Sequence, residues 1–125
     1  MSDRIFIAGL SLHAYHGVMP YEGKVGQTFT IDIELDIDLA EAARSDKVVD
    51  TVSYDKVVTC ASAAFCAQKF RLIEAAAAKV ADAVLAGFPR VRKIKVTIHK
   101  PHAPIAATFS DVGVTLERAR PASRS

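Results

Sequence analysis

Two long strands at the start of the chain are predicted from the alternation of apolar and polar residues. Between residues 27 and 39 every second residue is apolar, and the residues between them are mostly acidic. Because side chains alternate between the faces of a strand, this segment predicts a strand with one buried and one acidic face. Residues 5–19 predict an earlier strand, with a bulge or close backbone approach at Gly9. The two are expected to form a hairpin, joined by a polar loop over residues 22–26.

Two helices are predicted after this hairpin. Ser53 is expected to cap a helix beginning at Tyr54, since apolar residues then recur along one helical face as far as Phe65. A second, alanine-rich helix is predicted over about residues 71–86 and ends at Gly87. Residues 40–52, before the first helix, carry mixed polar and turn signals.

Two more alternating segments, residues 93–99 and 112–117, predict a second pair of strands. The element order is then ββααββ, which favours an α+β fold with one antiparallel sheet and both helices on one face. With 125 residues the chain has room for a single domain, which we expect to span residues 1–118. The Pro-, Ser- and Arg-containing tail over residues 119–125 is predicted to be disordered.

Charge and targeting signals limit the partners of this domain. The net charge is only +2 and basic residues form no long run, so no nucleic-acid interface is expected. The N-terminus lacks the features of a signal peptide, and no apolar run approaches the roughly 20 residues that span a membrane. Cys60 and Cys66 are predicted on different faces of one helix, which argues against a disulfide. A cytoplasmic protein with reduced thiols is expected.

Lys100 breaks the pattern of its strand, because the alternation places it in phase with the apolar residues Ile94, Val96 and Ile98. Its side chain could simply extend from the strand end to water. Alternatively, it is an amine in a partly dry pocket and suited to proton transfer.

Three further residues have both an ordinary and a functional interpretation. Glu74 stands among alanines that leave space around its carboxylate, yet it could be a solvated helix residue paired with Arg71. Tyr54 could be a core or rim tyrosine, and Glu22 an ordinary loop acid. No histidine or cysteine set has the spacing of a metal site, and motifs for acyl transfer or nucleotide binding are absent.

Several short strings, taken together, carry a resemblance over about residues 5–118. They occur in family order and spacing: Tyr15-His16-Gly17-Val18 followed by Glu22, Gly26-Gln27, Asp50-Thr51-Val52-Ser53-Tyr54, Leu72-Ile73-Glu74, Lys100-Pro101 and Leu116-Glu117-Arg118. The chain resembles the dihydroneopterin aldolases. The resemblance implies the tunnelling fold, in which a four-stranded antiparallel sheet with two helices joins its copies edge to edge. A homo-oligomer is expected, with four subunits forming a barrel ring, two rings stacking into an octamer, and active sites between subunits.

The resemblance also implies an activity in folate biosynthesis. The substrate is 7,8-dihydroneopterin, and the products are 6-hydroxymethyl-7,8-dihydropterin and glycolaldehyde. Retro-aldol cleavage needs an acceptor for the electrons of the broken bond, which other aldolases provide as a lysine imine or zinc ion. Here the pterin ring already contains a C6=N5 imine, so neither cofactor nor metal is expected.

Individual roles follow from the same resemblance. Lys100 matches the catalytic lysine, and Glu22 the carboxylate that orients water and hydroxyls. Tyr54, which protonates the enamine carbon, and Val52 would come from the adjacent subunit. Substrate binding falls to the anchor Glu74, to the backbone of Leu72 and Ile73, and to Val52.

Two alternatives remain at this stage. A dihydroneopterin or dihydroneopterin triphosphate epimerase of the same fold would share the retro-aldol half-reaction, and epimerase or oxygenase activity could also accompany the aldolase. A pterin-binding ring without turnover would retain affinity but give Lys100 no role in rate.

Overall fold

The computed structural model describes residues 3–121 and contains one four-stranded antiparallel sheet with helices packed on it. The strands, in both chain and sheet order, are β1 (Arg4–Ala14), β2 (Gln27–Asp36), β3 (Lys93–His99) and β4 (Gly113–Ala119). The helices are α1 (Glu22–Val25), α2 (Ala40–Ser45), α3 (Tyr54–Cys66) and α4 (Ile73–Gly87), with a 3₁₀ turn at Val48–Asp50. The predicted α+β class and antiparallel sheet are confirmed.

The core lies between one face of the sheet and the long helices α3 and α4. The apolar residues of β2 and β3 are all fully buried there, at Phe29, Ile31, Ile33, Leu35, Ile94, Val96 and Ile98. They pack against the buried stripes of α3 and α4, represented by Phe65 and Val80. The acidic residues of β2 lie on the opposite, open face, so the period-two pattern set the orientation of the sheet.

The bulge predicted at Gly9 is present in β1. The pairing of β1 with β2 shifts register between Ile7 and Leu10, and Gly9 has a φ of 74°. The N–H of Gly9 donates to Oδ1 of Asp32 at 2.7 Å. The bulge is thus tied to the open face of β2.

Several predicted boundaries are wrong. β1 ends at Ala14 rather than at Met19, and β2 ends at Asp36 rather than at residue 39. The polar loop after β1 contains the short helix α1, and residues 40–52 contain α2 and the 3₁₀ turn. Such short helices depend on tertiary contacts more than on a local pattern. Ser53 occupies the N-cap of α3 without a side-chain cap bond, and its backbone carbonyl accepts from the Val57 N–H at 3.1 Å.

Strand β4 and its contacts continue past residue 118, where the domain is predicted to end. β4 includes Ala119, and the backbone N–H of Arg120 donates to the carbonyl of Arg92 at 2.8 Å. The rest of the predicted tail, residues 122–125, lies outside the described residues. Within residues 3–121, no helix has the length and hydropathy needed to cross a bilayer.

Candidate active site

A buried ion pair joins Lys100, just after the end of β3, to Glu22 at the start of α1. Nζ of Lys100 lies 2.8 Å from Oε2 of Glu22, and the two side chains are 13% and 2% exposed. Lys100 therefore points inward, as the strand alternation predicted. The interpretation of Glu22 as an ordinary loop acid is wrong, since its carboxylate is inside the protein.

Two further donors stabilise the Glu22 carboxylate. The backbone N–H of Met19 donates to Oε1 at 3.1 Å, and Nε2 of Gln27 donates to Oε2 at 3.1 Å. Burial by itself would raise the pKa of Glu22, but the hydrogen bonds and the positive charge of Lys100 outweigh it and lower the pKa. The pair is thus a carboxylate beside an amine, an arrangement able to hold and exchange protons.

Gly17 provides the space that the Glu22 carboxylate occupies. A methyl group at this position would overlap the carboxylate, and the φ of 153° disfavours a side chain there. The local sequence pattern does not predict Gly17 or Gln27 as a site residue. Both lie in strings that carry the family resemblance, and this is their only signal.

His16 connects this region to the segment between α3 and α4. Its Nδ1 accepts from the Phe70 N–H at 3.0 Å, so Nε2, at 2.8 Å from the Phe65 carbonyl, carries the proton and donates. Burial lowers the pKa of His16, which keeps the ring neutral. The N–H of Gly17 donates to the Phe70 carbonyl at 2.9 Å, which fastens the segment leading to α4 beside the Lys100–Glu22 pair.

Glu74 lies in the first turn of α4, at the end of the domain that also contains Lys100. Leu72 is the N-cap of this helix, and the N–H groups of Ile73 and Glu74 belong to its first turn, where a helix provides no acceptor. The Glu74 side chain is exposed and makes no hydrogen bond to any residue within 3–121. A carboxylate and backbone N–H groups are therefore available together at this helix start.

Val52 and Tyr54 lie at the opposite end of the domain. Val52 is buried at 5% exposure, whereas Tyr54 is 67% exposed. Tyr54 begins α3, a 13-residue helix about 20 Å long. The other end of α3 contacts His13 of β1 through Cys66 and His16, just after β1, through Phe65. The start of α3 instead adjoins the end of α4, where Arg90 donates to the Val49 carbonyl at 3.1 Å. One copy of the chain does not bring Tyr54 to Lys100.

The comparisons with known proteins assign a family to this arrangement. The model of the dihydroneopterin aldolase (FolB) family matches residues 5–117. The chain belongs to the dihydroneopterin aldolase family. A dihydroneopterin aldolase of Methylorubrum extorquens is 43% identical over 120 residues, which cover 96% of this chain and 92% of the relative.

Solved structures of dihydroneopterin aldolases share the fold. The Escherichia coli dihydroneopterin aldolase in complex with neopterin has a TM-score of 0.85 and 33% identity, covering 94% of this chain and 99% of that one. A Burkholderia dihydroneopterin aldolase bound to guanine has a TM-score of 0.77 and 25% identity, covering 95% and 92% of the two chains. The tunnelling fold and the assignment as an aldolase of folate biosynthesis are confirmed.

Proposed function

We propose that this dihydroneopterin aldolase cleaves 7,8-dihydroneopterin into 6-hydroxymethyl-7,8-dihydropterin and glycolaldehyde by acid–base chemistry centred on Lys100 and Glu22. The observation that carries the proposal is the ion pair between these side chains, 2.8 Å apart and almost closed to solvent. A buried amine and carboxylate in direct contact can pass protons to a bound substrate without exchanging them freely with bulk water.

The reaction requires proton movement and an electron acceptor. The hydroxyl on the departing carbon loses its proton, the carbon–carbon bond breaks, and glycolaldehyde leaves. The electron pair enters the C6=N5 imine of the ring, and N5 takes up a proton. The resulting enamine is then protonated on carbon while N5 gives up its proton, which restores the imine. In this scheme Lys100 exchanges protons near N5 and, through water, with the hydroxyls that Glu22 helps to orient.

The start of α4 is proposed to bind the pterin ring. The Glu74 carboxylate can accept two N–H bonds from an aminopyrimidinone edge, while the backbone of Leu72 and Ile73 completes the contact. Guanine presents the same edge as a pterin, and neopterin and guanine are the ligands in two of the related aldolase structures. Both ligands are therefore consistent with an anchor that recognises this edge.

A second copy of the chain is proposed to complete the site. Tyr54, with Val52 beside it, would protonate the enamine carbon, although it lies at the far end of its own subunit from Lys100. Val48, Val49 and Tyr54 are 73%, 72% and 67% exposed, an apolar surface that contact with a neighbour would cover. Edge-to-edge pairing of β1 and β4 between copies would satisfy the open sheet edges. The expected assembly is a ring of four subunits, with two rings forming an octamer.

The proposed location is the cytoplasm. Cys60 and Cys66 are both free, which suits a reducing compartment.

Product identification tests this function. Purified protein and a chelator are incubated with 7,8-dihydroneopterin, and the pterins and glycolaldehyde are separated by chromatography. We expect 6-hydroxymethyl-7,8-dihydropterin and glycolaldehyde in equal amounts. An epimerised neopterin as the main product would indicate the epimerase instead. Unchanged substrate, despite measurable binding, would indicate a pterin-binding ring without turnover.

The same incubation tests the electron acceptor. If the ring imine accepts the electrons, treatment with borohydride should leave the mass of the protein unchanged. A pterin or glycolaldehyde adduct on a lysine, or loss of turnover on chelation, would contradict the proposed chemistry.

A further inference from the structure

His99, the last residue of β3, lies between two carboxylates on the open face of the sheet. Its Nε2 is 2.7 Å from Oδ2 of Asp32, and its Nδ1 is 2.5 Å from Oδ2 of Asp111. The three side chains are only partly exposed, at 31% for His99 and 41% for each aspartate. Neither aspartate belongs to the Lys100–Glu22 pair, and the proposed reaction uses none of the three.

These contacts join three parts of the domain. Asp32 belongs to β2, and its other oxygen accepts from the Gly9 N–H in the bulge of β1 at 2.7 Å. Asp111 lies in the segment between β3 and β4, and its other oxygen accepts from the Val112 N–H at 2.8 Å. Thus His99 links the bulge of β1 and the middle of β2 to the segment that follows Lys100. We refer to His99, Asp32 and Asp111 as the histidine clamp.

Both ring nitrogens of His99 must carry protons for the clamp to be complete. A carboxylate can only accept a hydrogen bond, so the ring has to donate on both sides as an imidazolium. The bonds to Asp32 and Asp111, together with the two negative charges, raise the pKa of His99 above its ordinary value of 6.5. Among residues 3–121, these aspartates are the charged groups that contact the ring.

The segment held by the clamp also fixes the backbone of Lys100. The N–H of Lys100 donates to the Val112 carbonyl at 2.6 Å, next to Asp111. Gly113, opposite His99 in the sheet, lies so close to the Ile98 carbonyl that no side chain fits there. The two ends of the segment 100–112 therefore meet at His99, and they set the direction in which Lys100 leaves the strand.

We infer that the histidine clamp positions Lys100 for catalysis, with His99 acting as an imidazolium that fastens the segment 100–112 to the sheet. This inference rests on the proposed role of Lys100. His99 itself lies on the other side of the strand from the Lys100–Glu22 pair, so it is a positioning residue and transfers no proton to the substrate.

A pH dependence with a defined sign follows. Because the folded pKa of His99 is raised, its ring is doubly protonated below the ordinary pKa of 6.5, and the clamp is lost as pH rises through the folded pKa. The neutral ring keeps one N–H and can donate to only one aspartate, and its unprotonated nitrogen then faces the other carboxylate. We expect kcat to fall in this range while KM for the pterin changes little, because the anchor at α4 is not involved.

Substitutions of Asp111 distinguish the effect of the clamp on kcat from the titration of other groups. In Asp111→Asn the amide can donate to the neutral Nδ1 while Nε2 donates to Asp32, so the clamp survives deprotonation. Its kcat should therefore not decline with the titration of His99. In Asp111→Ala the clamp is broken, and kcat should be about tenfold lower below the pKa of His99, as a small misplacement of a catalytic group can cause. Asp36→Asn, an aspartate on the same strand as Asp32 but paired with Arg92, is the matched control.

The experiment combines pH profiles of kcat and KM with nuclear magnetic resonance titration of His99 and of the backbone amides between residues 102 and 112. The expected result is that the wild-type amides titrate with the pKa of His99, and that those of Asp111→Asn do not. Equal pH profiles of kcat in the wild type, Asp111→Asn and Asp111→Ala would overturn the positioning role. Backbone amide resonances that do not change with the titration of His99 would overturn the clamp, even if the protein shows no turnover. A wild type lacking turnover but showing the amide titration would instead refute the function proposed for Lys100.

Discussion

Glu22 shows how a carboxylate with almost no contact with water remains charged. It is 3% exposed, and its oxygens are satisfied by Lys100, the Met19 N–H and Gln27. A buried pair of this kind adds little net stability compared with an apolar pair, but removal of one partner leaves the other charge without compensation. The pair therefore fixes the positions of both side chains, and each buried charge needs the other for compensation.

The substitution Glu22→Gln should expose this dependence. We expect the free energy of unfolding near neutral pH to fall by about 3 kcal/mol, because Lys100 loses its charged partner. The folded pKa of Glu22 is lowered, so its charge stabilises the wild type above the unfolded pKa and is lost as pH falls through the folded pKa. Urea unfolding between neutral pH and about pH 3 should show the difference from the wild type shrinking. A difference that stays constant over this range would contradict the ion-pair account.

For individual residues, the sequence predicts the direction of Lys100 but not the burial of Glu22 or the contacts of His99, and the reason is physical. The inward direction of Lys100 follows from strict alternation along one strand. The burial of Glu22 depends on how a loop folds back over Gly17 and Gln27, which no local period encodes. The role of His99 depends on two aspartates distant in sequence, so it required the sheet register.

The two ends of α4 have different partners, and these partners indicate different roles. At the C-terminal end, Arg120 donates to the carbonyls of Val91, Leu85 and Phe88 at 3.0, 2.7 and 3.2 Å. A cation bonded to the last carbonyls of a helix stabilises it both by hydrogen bonding and by its charge. The N-terminal end, with Glu74, is left available for a ligand.

We expect Arg120→Ala to lower the free energy of unfolding by about 1 kcal/mol, the usual value for such a contact at a partly exposed helix end. Urea unfolding measures this change. Arg118→Ala is the control, since within residues 3–121 the Arg118 side chain bonds only to the neighbouring Glu117 carbonyl. Equal losses in the two variants would mean that Arg120 does not stabilise the end of α4.

Glu74→Ala should weaken pterin binding at least about tenfold, or 1.4 kcal/mol, because the aminopyrimidinone edge loses its acceptor. Calorimetry with neopterin measures the affinity. Asp82→Ala removes another exposed carboxylate from the same helix and should leave the affinity unchanged. If Glu74→Ala and Asp82→Ala bind neopterin equally, Glu74 is not the anchor.

The long elements could be predicted because their pattern persists over many residues. The predicted starts of β2 at Gln27 and of α3 at Tyr54 are correct. The predicted α4 differs from the observed helix only at its ends. β1 was predicted too long because apolar residues continue after Ala14, where the chain leaves the sheet and buries His16 instead. The short helices α1 and α2 are too short to show a period.

At the level of the whole molecule, the proposed assembly accounts for the separation of the predicted site residues. Glu22, Glu74 and Lys100 share one end of the domain, while Tyr54 lies at the other. The family resemblance predicts all four residues. The distance between Tyr54 and the other three depends on the course of α3 across the sheet. A functional site containing all four residues requires the start of α3 from a neighbouring subunit.

Mixing two inactive variants tests this arrangement. Tyr54→Phe and Lys100→Ala subunits should recover part of the activity after exchange, because some interfaces then combine an intact Tyr54 with an intact Lys100. Each variant incubated alone under the same exchange conditions is the control. If mass spectrometry verifies mixed oligomers and activity does not recover, the two residues do not act across an interface.

In the proposed reaction, Lys100 carries the proton transfers of a cleavage whose electrons the pterin ring accepts. The most direct measurement is kcat of Lys100→Ala for 7,8-dihydroneopterin, with neopterin affinity measured on the same protein. We expect kcat to fall by roughly 10² to 10⁴, the usual scale for loss of an acid–base group, while affinity is largely retained. A folded Lys100→Ala protein with the kcat of the wild type would contradict the account.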